Sequence, residues 1–203
     1  MSPIFNEYNQ PVGESLPEWN NAFYPSAKTL NGRFSSLEAL HDRHILPLAQ
    51  AYDLAGDDRD WTYFAEQMPR SLQEYQEWIY QKLENHSIVP FVVKDKDTDT
   101  PTGVICFAEI DLINGSIELG HITWSRLMQK TPVGTEAIYL LLRYAFSLGF
   151  RHIVWRCDAL NDLLRRAALR LGFSYEGCFR QVMTNKQRNR DTAWFSMLDK
   201  EWP

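Results

Sequence analysis

The feature that most constrains this chain is a change of period near residue 88. Upstream, apolar residues recur at helical spacing in two stretches. Downstream they form strand-like blocks, punctuated by turn residues and by one long helical stretch. That order fits a mixed α/β domain built on one sheet. Ile88–Val93 reads as a strand, Lys94–Pro101 as a charged turn, and Gly103–Ile110 as the next strand. Asn114-Gly115 is a hairpin signal, and Ser116–Trp124 is the partner strand. Pro132–Leu148 reads as a helix with Ala137, Leu140, Leu141, Tyr144 and Leu148 on one face, and Pro132 suits its first turn. Ile153–Cys157 is a strand. Asn161 caps a helix that runs to Leu171 and stops at Gly172. Phe173–Thr184 and Ala193–Leu198 form a closing hairpin around a polar tip, Asn185–Asp191.

Upstream, Thr29–Leu37 alternates as a first strand. His41–Leu54 has helical spacing at Ile45, Leu48, Ala49 and Tyr52. Asp57–Phe64 is a turn of helix or a loop. Ser71-Leu-Gln-Glu74 is a capping box that opens a helix through Tyr75, Trp78, Ile79 and Leu83. Residues 1–27 carry Pro3, Pro11, Pro17 and Pro25 without a clear period. They are expected to form an irregular leader that packs through Trp19, Phe23 and Tyr24. Residues 28–203 are expected to form a single domain.

Composition bounds the function. At 203 residues and 44% hydrophobic, the chain can fill one core but is short for two. Its net charge of −5 argues against a general nucleic-acid binder. No basic n-region or apolar h-region opens it, so no secretory signal is expected. The longest apolar run, Ala137–Leu142, is far below the roughly 20 residues of a membrane span. Cys106, Cys157 and Cys178 lie in apolar, strand-like stretches without CxxC spacing. They read as reduced, buried thiols of a cytoplasmic protein, with no disulfide framework and no metal site.

The stretch that carries chemistry is Ser116–Thr135. A strand, Ile117-Glu-Leu-Gly-His-Ile-Thr-Trp124, runs through Gln129-Lys-Thr-Pro-Val-Gly134 into the long helix. A loop ending at a helix N-terminus presents unpaired N–H groups to an anion such as phosphate. Lys130 and Thr131 add a charge and a hydroxyl. The loop is neither a Walker P-loop nor a GxGxxG fingerprint. Taken alone, a plain strand-to-helix connection explains it as well.

A second element lies at the right distance. The loop Gln129–Ala137, then Asp158-Ala-Leu-Asn161, then Leu169-Arg-Leu-Gly-Phe173 with Glu176-Gly177 resembles the GCN5-related N-acetyltransferase (GNAT) superfamily. Glu118-Leu119-Gly120-His121 and the Asn161…Phe173 block resemble its RimJ/RimL-like branch. The resemblance covers about residues 28–198. It implies the GNAT fold, a mixed twisted sheet with helices on both faces. It also implies acyl transfer, most simply of acetyl from acetyl-CoA, to a primary amine of a protein N-terminus or small molecule. The transfer would be a direct attack in a ternary complex. Homodimers are common among relatives, so a homodimer is an expectation too. One departure stands out: Pro132 replaces the first glycine of the family's Gln/Arg-x-x-Gly-x-Gly/Ala loop and removes one N–H donor.

Several roles follow from the resemblance. Lys130, Thr131, Val133, Gly134 and Thr135, after Gln129, would cradle the CoA phosphates. A bulge, naturally at Gly120, would let the backbone of His121, Ile122, Thr123 and Trp124 line the thioester. Asn161 would hold the pantetheine arm, and Arg165 would reach a phosphate. Glu118 is the first candidate for the base that deprotonates the amine. The alternative is that it pairs with a cation or binds acceptor without moving a proton. His121 is second and Glu109 third; a bulge would bring Glu118 and His121 to one side. The positions of the family's acid, a tyrosine or the branch's serine, are Ala168 and Leu164, so no acid is named. Trp61, Tyr63, Glu109 and Asp191, the last in the tip Arg188-Asn-Arg-Asp191, are the candidates for the acceptor pocket.

Two rival readings remain: a non-catalytic acyl-CoA-binding or regulatory module, and an enzyme using a larger donor such as succinyl-CoA. A third, nucleic-acid binding, rests only on charge. Residues 126–190 hold twelve Lys and Arg against four Asp and Glu, a local balance of +8, while the rest carries −13. The basic half coincides with the segment proposed to hold polyanionic CoA, and the acidic remainder would favour a cationic amine.

Overall fold

In the computed structural model, residues 3–203 are described; Met1 and Ser2 of the leader lie outside the described residues. A two-stranded ribbon, β1 (Ile4–Phe5) and β2 (Pro11–Val12), opens the chain. Then follow β3 (Leu30–Asn31), β4 (Ser35–Ala39), α1 (Ile45–Asp53), α2 (Leu72–Glu84), β5 (Val89–Asp95), β6 (Thr100–Asp111) and β7 (Ser116–Trp124). The chain ends with α3 (Pro132–Ser147), β8 (His152–Asp158), α4 (Asp162–Arg170), β9 (Ser174–Asn185) and β10 (Arg188–Leu198). The last eight strands form one sheet in the order β3-β4-β5-β6-β7-β8-β10-β9.

Helices cover both faces, as expected, and strand alternation divides the core between them. On β6, Ile105 and Phe107 join the cluster that holds Ala137, Leu141 and Tyr144 of α3. Val104, Cys106 and Ala108 point the other way, to Tyr52, Tyr75, Trp78 and Ile79 of α1 and α2. Ser71 caps α2 by accepting from the Glu74 N–H at 3.2 Å. The Glu74 carboxylate reaches back one residue further than a capping box requires, to the Arg70 N–H.

Glu136 on α3 anchors the β3–β4 turn. Its carboxylate accepts from the backbone N–H groups of Arg33, Phe34 and Ser35, each at 2.7 Å, and from the Ser35 hydroxyl at 2.9 Å. The carboxylate lies so close to Gly32 that a Cβ there would fall 2.2 Å from Oε2. This turn is why the expected single first strand divides into β3 and β4.

Three other expectations change. Of the leader residues, Trp19 packs as expected: its ring covers Gly115 and its Nε1 donates to the Ile113 carbonyl. Phe23 and Tyr24 do not, at 73% and 53% exposed; small Ala22 is the buried neighbour. The closing hairpin turns at Lys186-Gln187, both with positive φ, so Arg188–Asp191 are strand and not tip. Cys106 and Cys157 are buried thiols, but Cys178 is exposed on the edge strand β9.

The feature that positions the site is the β7–β8 pair. The two strands run parallel for three residue pairs only, from Ser116–His152 to Glu118–Val154. Beyond them β7 stays with β6, β8 stays with β10, and a cleft opens.

Candidate active site

The cleft is a cavity of about 440 Å³. Its floor is Glu118–Ile122 of β7 and Arg156–Asp158 of β8; Asn161 and Leu164 come from the start of α4. Its outer wall is the β9–β10 hairpin with Tyr63–Glu66. The hairpin turn is tied to that loop: Lys186 Nζ donates to the Trp61 carbonyl at 2.7 Å, and Asn185 Nδ2 to that of Tyr63 at 3.3 Å. A second cavity of about 590 Å³, between Asn85–Ile88 and Glu109–Asp111, shares Ala108, Glu109 and His121 with the first.

Two bulges shape the floor. On β7, Gly120 pairs with Cys106 and Thr123 with Val104, so His121 and Ile122 oppose Ile105 alone. His121 has φ 49°. The bulge thus falls one residue beyond Gly120. Glycine is needed at 120 for another reason: a Cβ there would lie 3.1 Å from Glu118 Oε1 and 3.2 Å from Cδ, in the space the carboxyl occupies. On β6, Glu109 (φ 46°) and Ile110 oppose Ile117, a second bulge without a glycine to mark it. The β7 bulge places Glu118 and His121 on one cavity, as a bulge there was expected to do.

Glu118 is 7% exposed and ion-paired with Arg156. Burial pushes its carboxyl pKa up; the Arg156 guanidinium opposes part of that rise. Arg156 also lies 3.3 Å from Glu109 and packs 5.0 Å from the Trp194 ring centre. Sequence reasoning missed Arg156. The one signal was an arginine inside the otherwise apolar run Ile153–Cys157. His121 opens onto both cavities. Desolvation in the cleft, with the Lys82 charge, pushes its pKa down, so the ring is neutral at pH 7.

On the donor side, Lys130 turns the loop with φ 60° and Thr131 stands at the N-cap of α3. The Thr131 hydroxyl donates to the Met128 carbonyl at 2.8 Å and caps nothing. No side chain among the described residues caps the first turn, so Val133 and Gly134 offer backbone N–H groups as an anion site needs. The Thr131 N–H differs from expectation, turned toward the Met128 carbonyl at 3.4 Å. Gln129 Nε2 lies 3.3 Å from Asp60, which also holds Arg126, so it braces the loop from outside. Thr135 accepts from Arg170 at 3.1 Å, a second cation at this helix start. Ile122 lines the cavity, while Thr123 is engaged by the Tyr52 hydroxyl. Trp124 packs over Gly134. Asn161 lines the cavity and caps α4 through the Leu164 N–H at 3.1 Å. Arg165 stands behind it, with Nη1 on the Ala159 carbonyl and a buried Nε without a partner among the described residues.

Two acceptor candidates are corrected. Trp61 is 3% exposed and packs edge-on against Tyr52, Phe64 and Trp78; its aromatic bulk belongs to the core between α1 and α2. The Asp191 carboxylate is used inside the hairpin, accepting from the Gln181 N–H and from Asn189. Tyr63 and Glu109 do line the cavity. Leu164 lines it too, and Ala168 is fully buried, so neither position supplies an acid.

Comparisons with known proteins show the family and the fold. Residues 37–174 match the family model described as an acetyltransferase (GNAT) domain. A GCN5-related N-acetyltransferase from Brucella melitensis is 38% identical, with TM-score 0.90, over 93% of this chain and 86% of that one. A GNAT-family protein from Chromobacterium violaceum ATCC 12472 is 35% identical, with TM-score 0.89, over 100% of this chain and 99% of that one. The ribosomal-protein-serine acetyltransferase of Escherichia coli (strain K12) is 26% identical over 157 residues, 72% of this chain and 82% of that protein. With a cleft between parting strands, a bulge at its floor and an uncapped helix start following the same strand, the chain belongs to the GNAT acetyltransferase family, in its RimJ/RimL-like branch, and is an N-acetyltransferase that uses acetyl-CoA.

Proposed function

We propose that Glu118 is the base of this enzyme and that the acceptor amine enters the cavity it lines. The observation that carries the reading is the meeting of Glu118, His121 and the β7 bulge on one cavity, at the point where β7 and β8 part. Acetyl-CoA fits the residues present. The α3 start offers uncapped N–H groups to its phosphates, and Asn161 borders the groove for its pantetheine arm. Bound there, it supplies an activated thioester. An incoming ammonium gives one proton to Glu118, directly or through water, and the free amine then attacks. A C–N bond forms and the C–S bond breaks. The second amine proton reaches the departing thiolate through water. An N–H of the His121–Ile122 bulge suits the developing oxyanion.

His121 provides the second reading, favoured by its neutral ring and its position on both cavities. The test is kcat/KM against pH for Glu118→Gln and His121→Asn with a common amine. Glu118→Gln is expected to lower kcat about 10²–10⁴-fold and to remove the acid limb. An unchanged profile would overturn the assignment to Glu118 and, if His121→Asn removes the limb, transfer it to His121.

The acceptor class we favour is a protein N-terminus, supported by the ribosomal-protein relative, and the same relative supports a cytoplasmic setting. We further propose one acetyltransferase domain over residues 28–203, preceded by a leader, and a homodimer. Support for the dimer is the edge strand β9, which leaves Tyr175, Phe179, Val182 and Met183 about half exposed. Light scattering on the full chain tests it: a monomer mass would refute it.

A further inference from the structure

The outer wall of the cavity carries a set of polar groups that the acetyl-transfer reading leaves unused. Arg190, Thr192 and Trp194 stand at alternate positions of β10, so they share one face of the strand, and all three line the cavity. Each has a buried donor with no partner among the described residues: Arg190 Nε, Thr192 Oγ1 and Trp194 Nε1. Thr192 is only 4% exposed. A buried donor left unpaired is disfavoured, and these three fall together on the strand face that lines the cavity.

Charge separates Arg190 from its neighbours. Arg156 is matched by Glu118 and Glu109, and Lys186 is committed to the Trp61 carbonyl. Arg190 makes no ion pair with any described residue, although its charge is close enough to act on both Glu118 and Cys157. An indole N–H and a guanidinium can only donate, so the complementary group must accept. An ammonium is therefore wrong for this wall. A planar, singly charged carboxylate suits a guanidinium flanked by a hydroxyl and an indole. A dianionic phosphate would meet stronger repulsion from Glu118 and Glu109 in the same cavity.

We propose that the Arg190–Thr192–Trp194 face of β10 binds a carboxylate carried by one of the two reactants. This deepens the proposed function and rests on it, since it places the substrate in the same cavity. Two sources bring that chemistry: a dicarboxylic acyl donor, whose far carboxylate would reach the wall, or an amine acceptor that bears a carboxylate. The acyl-transfer step itself is the same for both.

The experiment has two arms on the full chain. In the donor arm, kcat/KM for succinyl-CoA is compared with that for acetyl-CoA on one amine. In the acceptor arm, acetyl-CoA is used with amino acids and Asp-initial peptides, each against its carboxamide. One arm is expected to show at least a tenfold preference for the carboxylate member, and Arg190→Gln and Thr192→Val are expected to bring that ratio toward one. Calorimetry with succinate against succinamide, in the presence of CoA, reads the same wall without turnover, so inactivity on the chosen amines still gives an answer. A ratio near one in both arms with no calorimetric preference, or a preference that survives Arg190→Gln, overturns the inference. The proposed function fails differently: acetyl-CoA does not bind, or no amine is acetylated. An enzyme that acetylates neutral amines without regard to carboxylates refutes this inference alone.

Discussion

Replacing Arg156 by Met isolates what its guanidinium does. Met keeps much of the aliphatic stem against Trp194 but leaves the Glu118 carboxyl, 7% exposed, without its partner. The rim contact to Glu109, whose side chain is 71% exposed, is worth little. The stacking over Trp194 contributes about 0.5–1 kcal/mol. The main term is the orphaned carboxylate. Breaking a buried pair costs about 3–5 kcal/mol, but the fold has a cheaper exit, which is to protonate Glu118. From an unfolded pKa near 4.3, that exit costs about 3.7 kcal/mol at pH 7 and about 1 kcal/mol at pH 5. These figures are ceilings on the carboxylate term. In the variant the folded pKa of Glu118 lies further above the unfolded value, so the folded state binds the extra proton. Stability then falls as pH rises from about 4.3 toward the folded pKa. Urea unfolding is therefore expected to show a loss of about 2–4 kcal/mol at pH 7 that shrinks by half or more at pH 5. Adding Glu118→Gln should recover most of it. A loss that does not change with pH, or a double variant no more stable than Arg156→Met alone, would refute the pairing as the reason for Arg156.

Other perturbations reach different parts of the fold. Glu136→Gln should cost about 2–3 kcal/mol at pH 7, because one carboxylate serves three N–H groups and a hydroxyl. Burial works against ionisation of Glu136, but those N–H groups hold its pKa below the usual carboxylate range. The stabilisation is thus present above about pH 4.3 and lost as pH falls through the folded pKa, and thermal melts of both proteins should converge in acid. Gly103→Ala would set a Cβ 2.6 Å from the Thr123 carbonyl oxygen, beside the β7 bulge, and should destabilise by about 1–3 kcal/mol; an unchanged urea midpoint would show that β7 can shift freely. Pro132→Gly restores an N–H at the start of α3 and should tighten acetyl-CoA binding severalfold by calorimetry. An unchanged Kd would show that this N–H has no part in the cradle.

Much of the framework was legible because it is local. The bounds of β7 and the start of α3 follow from a hairpin turn, a strand alternation and a proline, all within a few residues of each other. Ser71 and Asn161 cap their helices because a side-chain oxygen needs only the N–H three residues ahead. The side chains that finish the site were less legible. Trp61 and Tyr63 are two residues apart in one aromatic segment, yet one fills the core and the other lines the cavity, which depends on how α1 and α2 pack. Asp191 reads as an available carboxylate until the β9 bulge at Gln181 turns an N–H toward it.

The chain by itself determined the order of strands and helices, the helix start that opens on Pro132, and the family pattern that joins them. These depend on spacing along one backbone. Only the tertiary structure decided that the bulge sits at His121–Ile122, that Glu118 meets Arg156 from 38 residues away, and that three β10 residues with unpartnered buried donors line one cavity. Register between strands and the partner of a buried charge are set across the sheet, by groups that have no fixed distance in sequence.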